Sequence, residues 1–200
     1  MITINGSTHQ HFSFPDDLAA AVRHYRDFDT IFHFLPHISM VHKYGPGQYR
    51  ALYHTIELGV YRVKIFCDLA VRFDAAAQTL IVSPLAGGPP IKQSVSVQAL
   101  VAQGYFNSRS IFIGRGEETE IDYHLRLSAA LPKPLGLSLI PDAVMNQIAH
   151  SITEWRIHEI ASGFIERSVR EYRSQTRRHA PRPAGPGRQP APEPLSLRID

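Results

Sequence analysis

The chain is short of several things that would narrow its chemistry. It has one cysteine, Cys67, in 200 residues, so an intrachain disulfide and a cysteine-built zinc site are both excluded, which suits a reducing compartment. No apolar run approaches the ~20 residues that span a bilayer. The opening Met1-Ile2-Thr3-Ile4-Asn5-Gly6 has neither the basic start nor the apolar stretch of a signal peptide, and the expected location is the cytoplasm. A concentrated basic face is missing as well. From Arg177 onward five arginines stand against Glu193 and Asp200; taking these from the 21 basic and 18 acidic groups leaves 16 of each in residues 1–176. The whole net charge of +3 belongs to the tail, and a neutral body does not suit nucleic-acid binding by the folded domain.

Catalytic signatures are equally sparse. There is no Gly-rich phosphate loop, no Ser/His/Asp order and no paired-carboxylate motif. Cys67 lies in mid-strand among aliphatic residues, where burial makes a thiol inert. Eleven histidines raise the question of a metal. His33 and His37 are four apart, but Pro36 between them breaks the helical geometry that makes such a pair useful. His9 and His11 share a strand face, yet spacing along the chain places no carboxylate or third histidine beside them. No metal site, cofactor or catalytic residue is therefore expected.

What is present is a core and a clear order of elements. A hydrophobic content of 44% is enough to bury a domain. Thr8 to Phe14 reads as a strand stopped by Pro15; Asp16 and Asp17 lead into a helix through Tyr25, and a second short helix runs from Asp27 to about His33. From Ile38 the apolar period becomes two. Strands are predicted at Ile38–Lys43, Tyr49–Leu58, Tyr61–Asp74 and Thr79–Ser83, and a hairpin at Gly104–Ile113 and Thr119–Ala129. Residues 91–103 fit a strand or a helical turn equally. In Tyr61–Asp74 the odd positions Tyr61, Val63, Ile65, Cys67, Leu69, Val71 and Phe73 share one face, as in an antiparallel strand with one wet side. Pro141 and Asp142 then open one long helix to about Ser174, on the order of 50 Å at 1.5 Å per residue. Residues 175–200 are Arg/Pro-rich and read as a disordered, solvated tail, with peripheral membrane or protein contact as the alternative.

This order resembles the START-like, or SRPBCC, helix-grip superfamily over roughly residues 3–174. The stretches Tyr25-Arg26-Asp27-Phe28, Phe34-Leu35-Pro36, Gln48-Tyr49-Arg50, Gly104-Tyr105-Phe106-Asn107-Ser108 and Leu131-Pro132-Lys133-Pro134 resemble a subgroup typical of photosynthetic bacteria, to which no agreed activity attaches. The resemblance implies an α+β helix-grip domain over residues 1–174: a curved antiparallel sheet of about seven strands wrapped on the C-terminal helix, with two short helices after the first strand. It also implies a cavity for a hydrophobic small molecule or lipid between sheet and helix.

Such a cavity needs an apolar lining and a few polar groups. Its expected lining is Tyr61, Val63, Ile65 and Cys67 on one strand, Tyr123 and Leu125 on another, and Ile148, Ile152 and Trp155 on the helix. Leu52 shares a face with Arg50 and His54. If that face is inward, Arg50 and His54 meet an anionic head group; alternatively Arg50 sits at the strand's exposed start and pairs with Glu57 or Asp68. Arg109 is a further candidate of this kind. Three readings follow: non-enzymatic binding of a hydrophobic ligand; a cyclase- or dehydratase-type enzyme using Tyr61, His54 or Arg50 in the same cavity; or a homodimeric interaction module. The helix adds its own expectation. Its apolar stripe is Val144, Met145, Ile148, Ile152 and Trp155, then Ile157, Ile160, Ala161, Phe164 and Ile165, nearly half a turn away, which predicts a bend near Trp155 or burial on different sides along its length.

Overall fold

The computed structural model describes residues 2–57, 59–133 and 140–179. The chain opens with strand β1 (Ile2–Phe14), whose alternating pattern begins with buried Ile2 and Ile4. Helix α1 (Leu18–Arg26) follows, started by Asp17, which accepts the backbone N–H of Ala20 at 2.8 Å. Asp27 ends that helix and caps the next, α2 (Phe28–Ile31), which tightens into a 3-10 turn over Phe32–Phe34. The strands are β2 (Ile38–Gly45), β3 (Gln48–Glu57), β4 (Tyr61–Asp74), β5 (Thr79–Pro84), β6 (Ser94–Val95), β7 (Ala99–Gly114) and β8 (Thr119–Leu131).

Together they form one eight-stranded sheet in the order β1-β8-β7-β5-β4-β3-β2, with β6 paired to β7. The extra strand, β6, lies in the stretch 91–103 that periodicity left open. Neighbouring strands are antiparallel except where Arg62–Phe66 of β4 run parallel to Ala99–Gln103 of β7. The layout is the α+β sheet, early short helices and long C-terminal helix that the element order implies.

Helix α3 (Asp142–His179) is 38 residues, about 57 Å long by its rise per residue. It continues five residues past Ser174 into the stretch read as tail; the tail from residue 180 onward lies outside the described residues, as do Leu58 and Pro134. Its first turn is held by Lys133, which donates to the carbonyl of Ile140 and to Asp142.

The expected division of its apolar stripe is corrected. Buried or half-buried positions run continuously through Met145, Ala149, Thr153, Ile157, Ala161, Phe164, Ser168 and Tyr172 at steps of three or four. Two polar residues carry the line. Thr153 is buried because its hydroxyl donates to the carbonyl of Ala149 at 2.7 Å, and Ser168 because its hydroxyl meets that of Tyr25 at 3.0 Å. Val144 and Trp155, taken as apolar stripe residues, are exposed instead.

Two glycines set how closely α3 is gripped. A Cβ on Gly6 of β1 would lie 2.3 Å from Ile157 Cδ1 and 3.1 Å from Thr153 Cγ2, so any larger residue there would make those side chains move aside. A Cβ on Gly163 would lie 2.7 Å from the ring of buried Pro36. Glycine in a helix interior costs about 1 kcal/mol relative to alanine, and this contact explains why it is kept.

Candidate functional site

The inner face of the sheet and α3 enclose a cavity of about 310 Å³. Its wall is built by alternation. On β4, Tyr61, Val63, Ile65, Cys67 and Leu69 point inward, and on β8, Tyr123, Leu125 and Leu127 do so. Helix α3 contributes Met145, Ile148, Ile152, Thr153, Arg156 and Ile157. At the inner end, Tyr25 from α1 and Phe164 from α3 close the space with ring centroids 6.0 Å apart. At the other, Val60 and Val97 line the cavity yet are 72% and 67% exposed, and Ile148 beside them is exposed too. An apolar lining residue that meets water marks the mouth.

Of the residues expected to line the cavity, Tyr61, Val63, Ile65, Cys67, Tyr123, Leu125, Ile148 and Ile152 do so. Burial pushes the Cys67 thiol up to about 12, with the nearby Asp68 charge adding to it, which agrees with an inert wall residue. Four expectations are corrected. Trp155 does not reach the cavity; it is 58% exposed, with the Arg156 guanidinium 4.3 Å from its ring centroid. Leu52 and His54 face away from the cavity, and His54 is exposed. Arg50 lies on the same outer face, where it holds Asp68 through two hydrogen bonds of 2.7 and 2.8 Å. Both side chains of that pair are largely buried, at 13% and 5% exposure, and the hydrogen bonds from Arg50 hold the Asp68 carboxyl below its usual range. The alternative of a local acid for Arg50 is the one the structure adopts. Arg109 is exposed on the outer face of β7.

The misread strand, β3, hid the polar part of the site. Its inward residues are Tyr49, Ala51, Tyr53, Thr55 and Glu57, a small and amphipathic set, while apolar Leu52 and Ile56 face out. The hairpin geometry held the missing signal. Glu57 pairs with Tyr61 across a short turn through Gly59 at φ +75°, so Tyr53 lies opposite Ile65 and Ala51 opposite Cys67. Directly opposed residues share a face, and the clear phase of β4 therefore fixes that of β3.

At the cavity wall Glu57 accepts both Nε and Nη2 of Arg156, at 2.9 and 3.2 Å, and the hydroxyl of Tyr53 at 3.3 Å. Arg156 also donates to Glu159 at 2.7 Å, and Glu159 meets His37 Nε2 at 3.3 Å. Burial disfavours the charge on Arg156, but the hydrogen bonds to Glu57 and Glu159 outweigh it and the guanidinium is held more firmly protonated than usual. Burial and the Glu57 charge push the Tyr53 phenol well above its ordinary value. Arg156 is thus shared between two carboxylates and leaves no cation of this network free for a ligand.

A second polar patch is different in kind. Ser108 and Ser110 of β7 and Tyr123 of β8 line the cavity, Ser110 directly opposite Tyr123 in the register. None of their hydroxyls makes a hydrogen bond among the described residues. Burial pushes the Tyr123 phenol far up, so it stays a neutral donor and acceptor. The Tyr61 hydroxyl, by contrast, donates to the carbonyl of Ala99 at 3.3 Å.

A metal expectation also meets the fold. His9 and His11 have neighbours that spacing could not show: the register of β1 against β8 places His124 opposite His9 and Asp122 opposite His11, on the outer face.

No protein-family model matches the sequence, and no curated protein matches it. Solved structures do. The Zhui aromatase/cyclase from Streptomyces sp. R1128 superposes with a TM-score of 0.55 at 9% identity, covering 88% of this chain and 98% of that one. A START superfamily protein from Mycobacterium smegmatis gives 0.40 at 13% identity over 80% and 97%. The lipid transfer and protein localization domain of human StarD13 gives 0.42 at 8% identity over 79% and 76%. No described helix is long and apolar enough to cross a membrane. With its sheet wrapped on one long C-terminal helix and a cavity between them, the chain has the START-like, SRPBCC helix-grip fold.

Proposed function

We propose that the protein binds a hydrophobic small molecule or lipid in the cavity, and that the ligand carries a neutral hydroxyl or carbonyl seated at Ser108, Ser110 and Tyr123. The observation that carries this is an apolar space of about 310 Å³ with unpaired hydroxyls on one wall. The cavity opens to water through its mouth, so its apolar wall is left hydrated without a ligand, and covering that wall is worth about 25 cal/mol per Å² of apolar surface buried. The hydroxyls of Ser108, Ser110 and Tyr123 face this space and make no hydrogen bond among the described residues, so a polar group of the ligand can take them up. A ligand that fills the space covers the apolar wall and pairs the hydroxyls.

The polarity of the ligand follows from which cations reach it. Arg50 and His54, the residues suited to an anionic head group, lie outside the cavity, and Arg156 is already bound to two carboxylates. A free carboxylate or phosphate would have to be desolvated without a counter-ion. The cyclase- or dehydratase-type reading keeps Tyr61 in the cavity but loses Arg50 and His54, which lie on the other face of the sheet from Tyr61 and Tyr123.

Thermal shift assays with farnesol and long-chain fatty alcohols, set against the matching carboxylic acids, test this reading. The alcohols should raise the melting temperature and the acids should not. An Ala51→Leu variant, which fills the cavity from β3, should keep the fold and lose the shift. A shift with acids alone, or one that survives Ala51→Leu, would contradict the proposed seat.

A further inference from the structure

Away from the cavity, four side chains converge on the solvent face of the sheet where edge strand β1 meets β8. The antiparallel register sets His9 directly opposite His124 and His11 directly opposite Asp122. Residues two apart on a strand share a face, and opposed residues have Cβ atoms about 5 Å apart, so the four form a compact block of donors.

All three imidazoles close on one carboxylate oxygen. Asp122 Oδ1 is 2.6 Å from His9 Nε2, 3.1 Å from His124 Nε2 and 3.8 Å from His11 Nδ1. Donor atoms of His9, His11 and Asp122 lie within 4.8 Å of one another. The rings pack as well: His9 and His124 are stacked with centroids 3.8 Å apart, and His9 and His11 lie at 4.3 Å.

We propose that His9, His11, Asp122 and His124 form a binding site for a divalent transition-metal ion of the zinc class. Zinc bonds of about 2.0–2.2 Å to nitrogen and oxygen place neighbouring donors of a tetrahedral shell about 3.3–3.5 Å apart. The three distances to Asp122 Oδ1 bracket that value; His9, His11 and Asp122 already hold their donor atoms within 4.8 Å of one another, and His124, outside that group, supplies the fourth donor by turning out of its stack on His9. Three imidazole nitrogens and one carboxylate oxygen suit Zn²⁺, Ni²⁺ or Cu²⁺ and do not suit Ca²⁺ or Mg²⁺, which take oxygen ligands.

The donors are open to solvent, so an ion has a direct path to them. Arg109 lies opposite His124 on β7 and adds positive charge beside the site, and the single carboxylate of Asp122 compensates it. The metal would bridge β1 and β8, a cross-link that pins the edge strand on the face of the sheet opposite the ligand cavity.

The test is a titration of the full chain, carrying no affinity tag, with ZnCl₂ by calorimetry and with CoCl₂ by visible absorption. One equivalent should bind, the Co²⁺ form should show the intense band of four-coordinate geometry, and Zn²⁺ should raise the melting temperature. His9→Ala, His124→Ala and Asp122→Asn should each weaken binding by about tenfold or more. His33→Ala, at an exposed histidine elsewhere, should leave it unchanged. All four sites of substitution face solvent, and a melting curve without metal verifies that each variant is folded. Absence of binding, an octahedral Co²⁺ spectrum, or binding that survives Asp122→Asn together with His9→Ala would overturn the proposal.

Discussion

The two halves of α3 do different work against the same sheet. From Phe164, which closes the cavity, onward the helix packs on a solid aromatic block: Tyr25 touches Phe112 and Phe164, and Phe14 lies 4.4 Å from Tyr172 by ring centroid. The two tyrosine hydroxyls there are tied off, Tyr25 on Ser168 and Tyr172 on Asp16, and His24 Nε2 is the buried polar atom of that block left without a partner among the described residues. Before Phe164 the helix roofs a cavity, presents Val144, Ile148 and Trp155 to water, and leaves hydroxyls opposite it unpaired. One end is packed for stability and the other is held open. Net stability is a small difference between large terms, and apolar surface left open to water at one end is offset by burial at the solid end.

Substitutions can break this contrast, and the largest effect belongs to the solid end. Phe14→Ala, at a fully buried ring outside the cavity, should lower unfolding free energy by about 4 kcal/mol in a urea titration and leave ligand affinity unchanged. Arg156→Leu is next. It leaves Glu57 without its counter-ion, and because both side chains are near 15% exposed the loss should be about 2 kcal/mol, smaller than for a fully buried pair. Glu57→Gln in the same chain should recover part of it.

At the open end the expectation reverses. Tyr123→Phe removes a hydroxyl that has no partner, so stability should change by under about 1 kcal/mol while farnesol affinity falls about tenfold. A large stability loss there would mean that the wall is packed like the other end.

The smallest effect is on acid sensitivity. His24 sits among Phe14, Tyr25, Phe34 and Tyr172, and burial lowers its pKa, the charges of Asp27 and Glu171 opposing this only in part. Its Nε2 is buried without a hydrogen-bond partner among the described residues. The unfolded chain therefore binds the proton more readily, and stability falls as pH drops below the unfolded value near 6.5. His24→Phe should flatten the melting temperature between about pH 6.5 and 5. An unchanged slope would show that the ring is reached by water.

How much of this was legible depends on where apolar and inward coincide. On β4 they do, and the alternation from Tyr61 to Leu69 gave both strand bounds and wall. On β3 they do not: Leu52 and Ile56 are the apolar residues, yet the wall takes Ala51, Tyr53 and Glu57, because the cavity needs volume and polarity where a filled core needs bulk. On α3 the buried line passes through Thr153 and Ser168, whose hydroxyls bond within the fold, so hydropathy alone split one stripe into two. The histidine cluster depends on pairing His9 with His124 across 115 positions of chain, and no local spacing contains that register.

The most direct measurement of the central claim is native mass spectrometry of the full chain purified from its own host without denaturation. The account predicts a bound species of added mass that organic solvent extracts as a neutral hydrophobic molecule, present in the natural chain and absent from Ala51→Leu. A clean apoprotein in both, with no thermal shift on adding farnesol or fatty alcohols, would contradict it.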